Sequence, residues 1–180
     1  HLFIESSAAR VNDALAQIKE PNREAARVLF TAHSIPDSMA NYCYYKQQLH
    51  ETCRLVMQQV GQQAWDLDFQ SRSGPPHQPW LEPDVCDHIQ SLKQDSDVQD
   101  LVIMPVGFVS DHMEVVYDLD TQAAERAAEL GITMVRAETV GTHPSFVTGL
   151  RQLIDERLSG AEALCAVGEP WECEDRKSVV

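Results

Sequence analysis

Two segments of the chain concentrate side chains that bind metal ions or transfer protons. In the first, His33 follows a short apolar run, residues 27–31, which is typical of a buried parallel strand. A neutral imidazole accepts protons near pH 7 and is a common ligand of divalent transition metals. On position alone, the more frequent interpretation is a histidine that hydrogen-bonds a neighbouring loop.

The second segment, residues 110–122, follows another apolar run and holds five ionisable groups within ten residues. These groups are Asp111, His112, Glu114, Asp118 and Asp120. Glu114 and Asp118 are four residues apart and share one helix face, where like charges oppose each other by roughly a few tenths of a kcal/mol. A helix widened toward a π-bulge would keep the two acids in line, and such bulges occur at functional sites. The alternative is a solvated acidic face on an acidic protein.

The elements that must position these groups alternate between strands and helices. Predicted strands span residues 27–31, 65–70, 101–106 and 132–136, and predicted helices span residues 4–18, 37–60, 85–92, 116–130 and 146–154. This alternation predicts an α/β fold, a Rossmann-like parallel sheet with helices on both faces. Residues 71–83, with Gly74 and four prolines, predict a long loop of the kind that is often functional. We expect one domain over residues 1–158 and a tail over residues 159–180.

This architecture would bring the two segments together, because ligands of an open parallel sheet bind beyond the carboxyl ends of its strands. His33 and Glu114 would lie at the ends of two strands of one sheet. Imidazole and carboxylate groups with open positions suit Fe(II), Co(II), Zn(II) or Ni(II), and a row of carboxylates could carry a proton to solvent. The His-Glu-x-x-His, glycine-rich nucleotide-binding and serine-hydrolase motifs are absent, which disfavours those classes.

Composition excludes several other classes of function. The 180 residues include 14 Lys and Arg against 28 Asp and Glu, a net charge of −14 that argues against nucleic-acid binding. The same balance disfavours binding to anionic membranes through a basic patch, although peripheral contact through an apolar lip stays open. The five cysteines form no Cys-x-x-Cys pair, and no export signal opens the chain, so we expect a reduced, cytoplasmic setting. Cys43 and Cys53 fit small buried hydrophobes of a helix.

Three longer stretches of the sequence carry a family resemblance. They are residues 29–36 (LFTAHSIP), residues 69–74 (FQSRSG) with 79–81 (PWL), and residues 105–120 (PVGFVSDHMEVVYDLD). In this order and spacing they resemble ferrochelatase, the enzyme that inserts Fe(II) into a porphyrin in haem biosynthesis. The resemblance covers about residues 1–158 and only the C-terminal part of the family's longer, two-lobed chain. It implies that half of the porphyrin cleft, with residues that hold the propionates, lies outside this sequence.

The resemblance also assigns roles to individual residues. His33 resembles the family's catalytic His and Glu114 its opposing Glu, the pair that flanks the metal-insertion point. Asp118 matches the next acid of the family's π-helix, whereas Gln122 replaces a third acid and shortens the acidic path. The resemblance implies that Asp111 and His112, beside Ser110, serve as a proton or metal relay. It also implies that the porphyrin cleft is lined by Trp80, Ser34, Ser71 and Tyr117.

Some family members bind an iron–sulfur cluster through one cysteine near the middle of the chain and three near its C-terminus. Here Ser6 stands at the first position, and the tail has only Cys165 and Cys173, so we expect no cluster. Two alternatives stay open: a non-catalytic module that binds a metal ion or tetrapyrrole, and another chelatase of the superfamily. Such chelatases use a His-rich metal site, and Glu114 favours ferrochelatase instead. The choice between protoporphyrin and coproporphyrin, and the oligomeric state, stay open.

Overall fold

The sheet of this protein consists of parallel strands that end at one common edge. The computed structural model describes residues 1–61, 64–75, 77–96, 98–160, 164 and 166. Within them, four strands form one sheet in the order β2-β1-β3-β4, and all three pairings are parallel. The strands are β1 (Arg27–His33), β2 (Trp65–Gln70), β3 (Asp100–Met104) and β4 (Thr133–Arg136). The predicted fold class is confirmed.

Helices cover both faces of the sheet. They are α1 (Leu2–Leu15), α2 (Asp37–Ala40), α3 (Tyr45–Val60), α4 (Val85–Ser96), α5 (Met113–Val115), a π-helix (Val116–Ala123), α6 (Ala124–Glu129) and α7 (Pro144–Ser159), with a 3-10 turn at Asn22–Ala25. Helices α1, α3 and α7 lie on one face, and α4, the π-helix and α6 lie on the other. Successive residues of β1 therefore enter different cores: Val28 and Phe30 pack beneath α1 and α3, and Leu29 packs beneath α4. Burial on both faces explains why the strand sequence is continuously apolar.

Strand β1 is longer than the sequence predicts. The predicted strand ends at residue 31, whereas β1 continues to His33, which pairs with Gln70 of β2. The ladder continues one step further, because the Ser34 N–H donates a hydrogen bond to the Gln70 carbonyl oxygen at 2.8 Å. His33 is therefore the last residue of the strand and does not belong to the loop after it. Its backbone is held on a rigid element.

The long helix predicted from residue 37 to residue 60 is divided in two. Helix α2 ends at Ala40 and α3 begins at Tyr45. The four residues between them, 41–44, are Asn, Tyr, Cys and Tyr, none of which is a strong helix former. The Tyr45 hydroxyl also donates a hydrogen bond to the His33 carbonyl oxygen at 3.0 Å, which ties the start of α3 to the end of β1. Cys53 is fully buried as predicted, whereas Cys43 is only half-buried.

The polar face of β2 points into the protein. Asp68 and Gln70 are 0% and 1% exposed, since α4 packs against β2 and Asp118 of the π-helix contacts Gln70. Each polar side chain there has a charged or polar partner. Asp66 pairs with Arg27 at 2.6 Å, and Asp68 accepts a hydrogen bond from His88 Nδ1 at 2.7 Å.

The buried Asp68–His88 pair makes stability depend on pH. Burial raises the pKa of Asp68 to about 6, although the His88 hydrogen bond opposes the shift. The hydrogen bond to Asp68 raises the pKa of His88 above its ordinary value, against the effect of burial. Both pKa values are higher in the folded than in the unfolded chain. The pair therefore stabilises the folded state fully at pH values below the pKa values of the unfolded chain. This stabilisation is lost as the pH rises through the pKa values of the folded chain.

We expect Asp68→Asn to flatten this dependence. Asparagine keeps an oxygen that accepts the His88 hydrogen bond but does not titrate. From pH 4 to pH 8 the free energy of unfolding should fall by about 2 kcal/mol less in the variant than in the native protein, because one pKa unit corresponds to about 1.4 kcal/mol. Urea unfolding at both pH values measures the difference. Asp95→Asn, an exposed change on α4, is the control, and an equal pH dependence in all three proteins would contradict the expectation.

Candidate active site

His33 presents one ring nitrogen to the carboxyl edge of the sheet. Its Nδ1 lies 2.5 Å from the Ser34 carbonyl oxygen. A carbonyl oxygen only accepts hydrogen bonds, so Nδ1 carries the hydrogen and the neutral ring has its lone pair on Nε2. The side chain is 36% exposed, which leaves Nε2 accessible to a ligand.

Glu114 reaches the same place through a tight loop after β3. The Gly107 N–H donates a hydrogen bond to the Thr31 carbonyl oxygen at 3.0 Å, which holds this loop against β1. A Cβ on Gly107 would lie 2.6 Å from the Ala32 Cβ, so only glycine permits the approach. Helix α5 then begins at Met113, and Glu114 Oε1 lies 3.2 Å from His33 Nε2. Two residues that are distant in sequence thus face each other, as the sheet-edge argument predicts.

This pair has a specific chemical capacity. With Nδ1 engaged by Ser34, the Nε2 lone pair of a neutral His33 points at the Glu114 carboxylate. Two electron-rich groups at 3.2 Å repel each other unless a proton or a cation lies between them. The arrangement therefore suits the capture of a proton or of a divalent metal ion.

The next acid along this helix is anchored to a different strand. The backbone is widened into a π-helix over Val116–Ala123, and Asp118 lies within it. Its Oδ2 accepts hydrogen bonds from the Ser71 hydroxyl and from Gln70 Nε2, the latter at 3.3 Å. Ser71 adopts a φ of 64°, a left-handed conformation that is uncommon for a residue other than glycine. Asp118 is thus held over the end of β2, where its partner Gln70 pairs in register with His33.

The two residues predicted as further members of the relay have other contacts. Asp111 Oδ1 lies 3.1 Å from Arg136 Nη1, in an ion pair with the last residue of β4. The same guanidinium binds Asp120 through Nε. The ring of His112 lies edge-on to that of Phe108, with centroids 5.3 Å apart.

The predicted cleft residues differ widely in exposure. Ser34 is 2% exposed and donates its hydroxyl hydrogen to the Leu81 carbonyl oxygen, whereas Tyr117 is 53% exposed. Trp80 is half-buried against Gly74, where a Cβ would lie 2.4 Å from the indole nitrogen. That buried nitrogen has no hydrogen-bond partner among the described residues.

Sequence reasoning missed three residues that shape the site: Tyr45, Gln70 and Arg136. Gln70 and Arg136 each end a strand at the carboxyl edge, so the rule that selected this edge applies to them as well. The hydrogen bond from Tyr45 to His33 has no counterpart in the spacing of the sequence.

Among the described residues, no three His, Cys, Asp or Glu side chains converge on a point that could hold a metal ion. In the part of the chain that the structure describes, no helix combines the length and apolarity needed to cross a bilayer.

Fold and site together define an α/β protein whose parallel sheet sets an imidazole against a carboxylate at its carboxyl edge. A family model described as Ferrochelatase matches residues 1–158. The chain belongs to the ferrochelatase family.

Several bacterial proteins are similar to this chain. It is 51% identical over 171 residues to a ferrochelatase of Rhodopirellula baltica. The matched region covers 94% of this chain and 48% of that protein. It is 46% identical over 162 residues to a coproporphyrin III ferrochelatase of Mycolicibacterium smegmatis, a match that covers 88% of this chain and 47% of that protein. It is 41% identical over 186 residues to a coproporphyrin III ferrochelatase of Streptomyces coelicolor, a match that covers 92% of this chain and 49% of that protein. The chain spans about half the length of the curated relatives it matches.

Proposed function

We propose that this chain carries the metal-insertion site of an enzyme that places Fe(II) in a porphyrin, with residues 1–158 as the domain that bears it. The observation that carries the proposal is the His33–Glu114 pair, with Nε2 and Oε1 3.2 Å apart. Membership of the ferrochelatase family supports the reaction class.

The reaction needs a base because a free porphyrin holds two protons on its inner nitrogens. Both must leave as Fe(II) enters, so that each turnover releases two protons. His33 Nε2 accepts them one at a time, since its hydrogen bond from Nδ1 to Ser34 keeps the lone pair on Nε2. Glu114 stabilises the imidazolium that forms and offers an anionic ligand to the incoming metal ion.

The surroundings of the pair suit a flat, apolar ligand. Large apolar side chains are exposed after β1 and around Glu114: Met39 at 58%, Met113 at 80% and Tyr117 at 53%. Exposed apolar groups next to convergent polar ones are typical of a binding surface. We infer that Tyr117 and Trp80 contribute to the porphyrin cleft and that Ser34 and Ser71 support it, as the family resemblance implies.

The experiment is incubation of the intact protein that contains this chain with Fe(II) and a free-base porphyrin, without oxygen. Coproporphyrin III and protoporphyrin IX are both used, because two of the relatives above are named for the former. We expect the visible spectrum to change over time from the free base to the metalloporphyrin. A shifted but constant free-base spectrum would instead indicate a non-catalytic tetrapyrrole-binding module.

Asp118 is proposed to pass protons from the pair toward solvent. We expect Asp118→Asn to reduce the rate of insertion by less than the roughly 10²-fold that removal of a positioned base costs, because water can bypass a relay. Asparagine keeps an oxygen for the Ser71 and Gln70 hydrogen bonds, so the helix should stay in place. Initial rates of metalloporphyrin formation test this, with Glu125→Gln, an exposed change on α6, as control. A loss as large as that of a His33 variant would contradict the relay role.

A further inference from the structure

The helix that bears Glu114 begins without a side-chain cap. The residue before α5, His112, makes no side-chain capping hydrogen bond, and α5 continues directly into the π-helix and α6. Glu114 itself is 41% exposed. Its position opposite His33 depends on the contacts that hold this helix and the loop before it.

Arg136 makes such contacts on both sides of Glu114. Its Nη1 lies 3.1 Å from Asp111 Oδ1, three residues before Glu114, and its Nε binds Asp120, six residues after it. The guanidinium is 16% exposed, and Nη1 also donates to the Ala137 carbonyl oxygen at 3.4 Å. A planar guanidinium presents its donors in a rigid fork, which fits this double contact.

The support of Arg136 is rigid. It is the last residue of β4 and pairs in register with Ile103, a fully buried residue of β3. On the opposite side, Asp118 is tied to Ser71 and Gln70 at the end of β2. The helix that bears Glu114 thus has one polar contact over β4 and another over β2, while Glu114 faces β1 between them.

We propose that Arg136 is a positioning residue that keeps Glu114 opposite His33 by binding both Asp111 and Asp120. The inference rests on the proposed function. Arg136 touches neither member of the pair and acts through the backbone between its two carboxylate partners. Displacement of a reacting group by about 1 Å can cost roughly 100-fold in rate, so the loss of this bridge should reduce turnover and leave substrate binding intact.

The experiment uses Arg136→Gln and Arg136→Lys in the intact protein, with kcat and the KM for porphyrin measured separately. We expect kcat to fall by roughly 10- to 100-fold in both variants and KM to change by no more than about 3-fold. Lysine keeps the positive charge but has a single ammonium group, so it should not rescue the bridge. Arg126→Gln on α6, whose guanidinium binds Gln90 and Glu129, is the matched control with unchanged kcat.

Further variants keep the inference testable if Arg136 variants do not fold. Asp111→Asn and Asp120→Asn each weaken one arm, and each should lower kcat with KM unchanged. A normal kcat in folded Arg136→Gln, full activity of Arg136→Lys, or a rise in KM alone would overturn the inference. A failure of the proposed function is distinguishable, because then the native protein would form no metalloporphyrin or would tolerate the loss of His33.

Discussion

Substitution of His33 by alanine is expected to abolish metal insertion without unfolding the protein. Alanine removes the Nε2 lone pair that we propose takes the pyrrole protons, and a positioned base of this kind contributes about 10²- to 10⁴-fold. The fold should persist because the His33 side chain is 36% exposed and the strand is held by its backbone pairing with Gln70. Single-turnover formation of metalloporphyrin by the intact protein measures the effect.

The matched control for this variant is His50→Ala. His50 is an exposed histidine of α3 whose ring lies against Trp65, with centroids 5.1 Å apart, away from the carboxyl edge. The control should turn over at the native rate, and circular dichroism should show both variants folded. Native turnover by His33→Ala would remove the assignment of this residue as the proton acceptor.

Substitution of Glu114 by glutamine is expected to be nearly as severe. The change preserves size but removes the negative charge that, in the proposed function, stabilises a protonated His33 and attracts a metal ion. It also introduces an amide N–H close to the Nε2 lone pair, 3.2 Å from the present Oε1. A hydrogen bond from that amide would occupy the lone pair that must accept a proton, so we expect a loss of about 10²-fold or more.

Two further variants serve as comparisons for Glu114→Gln. Glu114→Asp keeps the charge but moves the carboxylate back by one methylene, and we expect an intermediate rate. Glu125→Gln, on the exposed face of α6, removes the same charge without touching the pair and should leave the rate unchanged. If Glu114→Gln kept most of the native rate, proton capture by His33 alone would account for the reaction.

The polar side chains of β2 show what a sequence pattern leaves open. The alternation of Trp65–Gln70 correctly predicts a strand, but it does not show that the polar face is buried. Asp68 is buried because His88, twenty residues later on α4, supplies the partner that makes burial tolerable. No local pattern connects the two residues. Their pairing depends on how α4 packs against β2.

The break between α2 and α3 has a similar origin. Apolar positions at helical spacing run from Met39 to Val60 and predict one continuous helix. The chain instead turns at residues 41–44, and Met39 is 58% exposed. Weak helix formers permit the turn, and the hydrogen bond from Tyr45 to His33 favours it. Periodicity reports which residues could share a face, and tertiary contacts decide whether the helix continues.

The amino-acid sequence alone determines the parallel α/β class, the edge at which His33 and Glu114 meet, and the resemblance to one family. Apolar runs, helix spacing and strand order are encoded locally, and parallel strands necessarily end together. Only the tertiary structure decides that Ser34 holds Nδ1, that Nε2 faces Oε1 at 3.2 Å, and that Arg136 joins Asp111 to Asp120. These contacts join separate elements, so they depend on strand register and helix packing, which no spacing along one segment specifies.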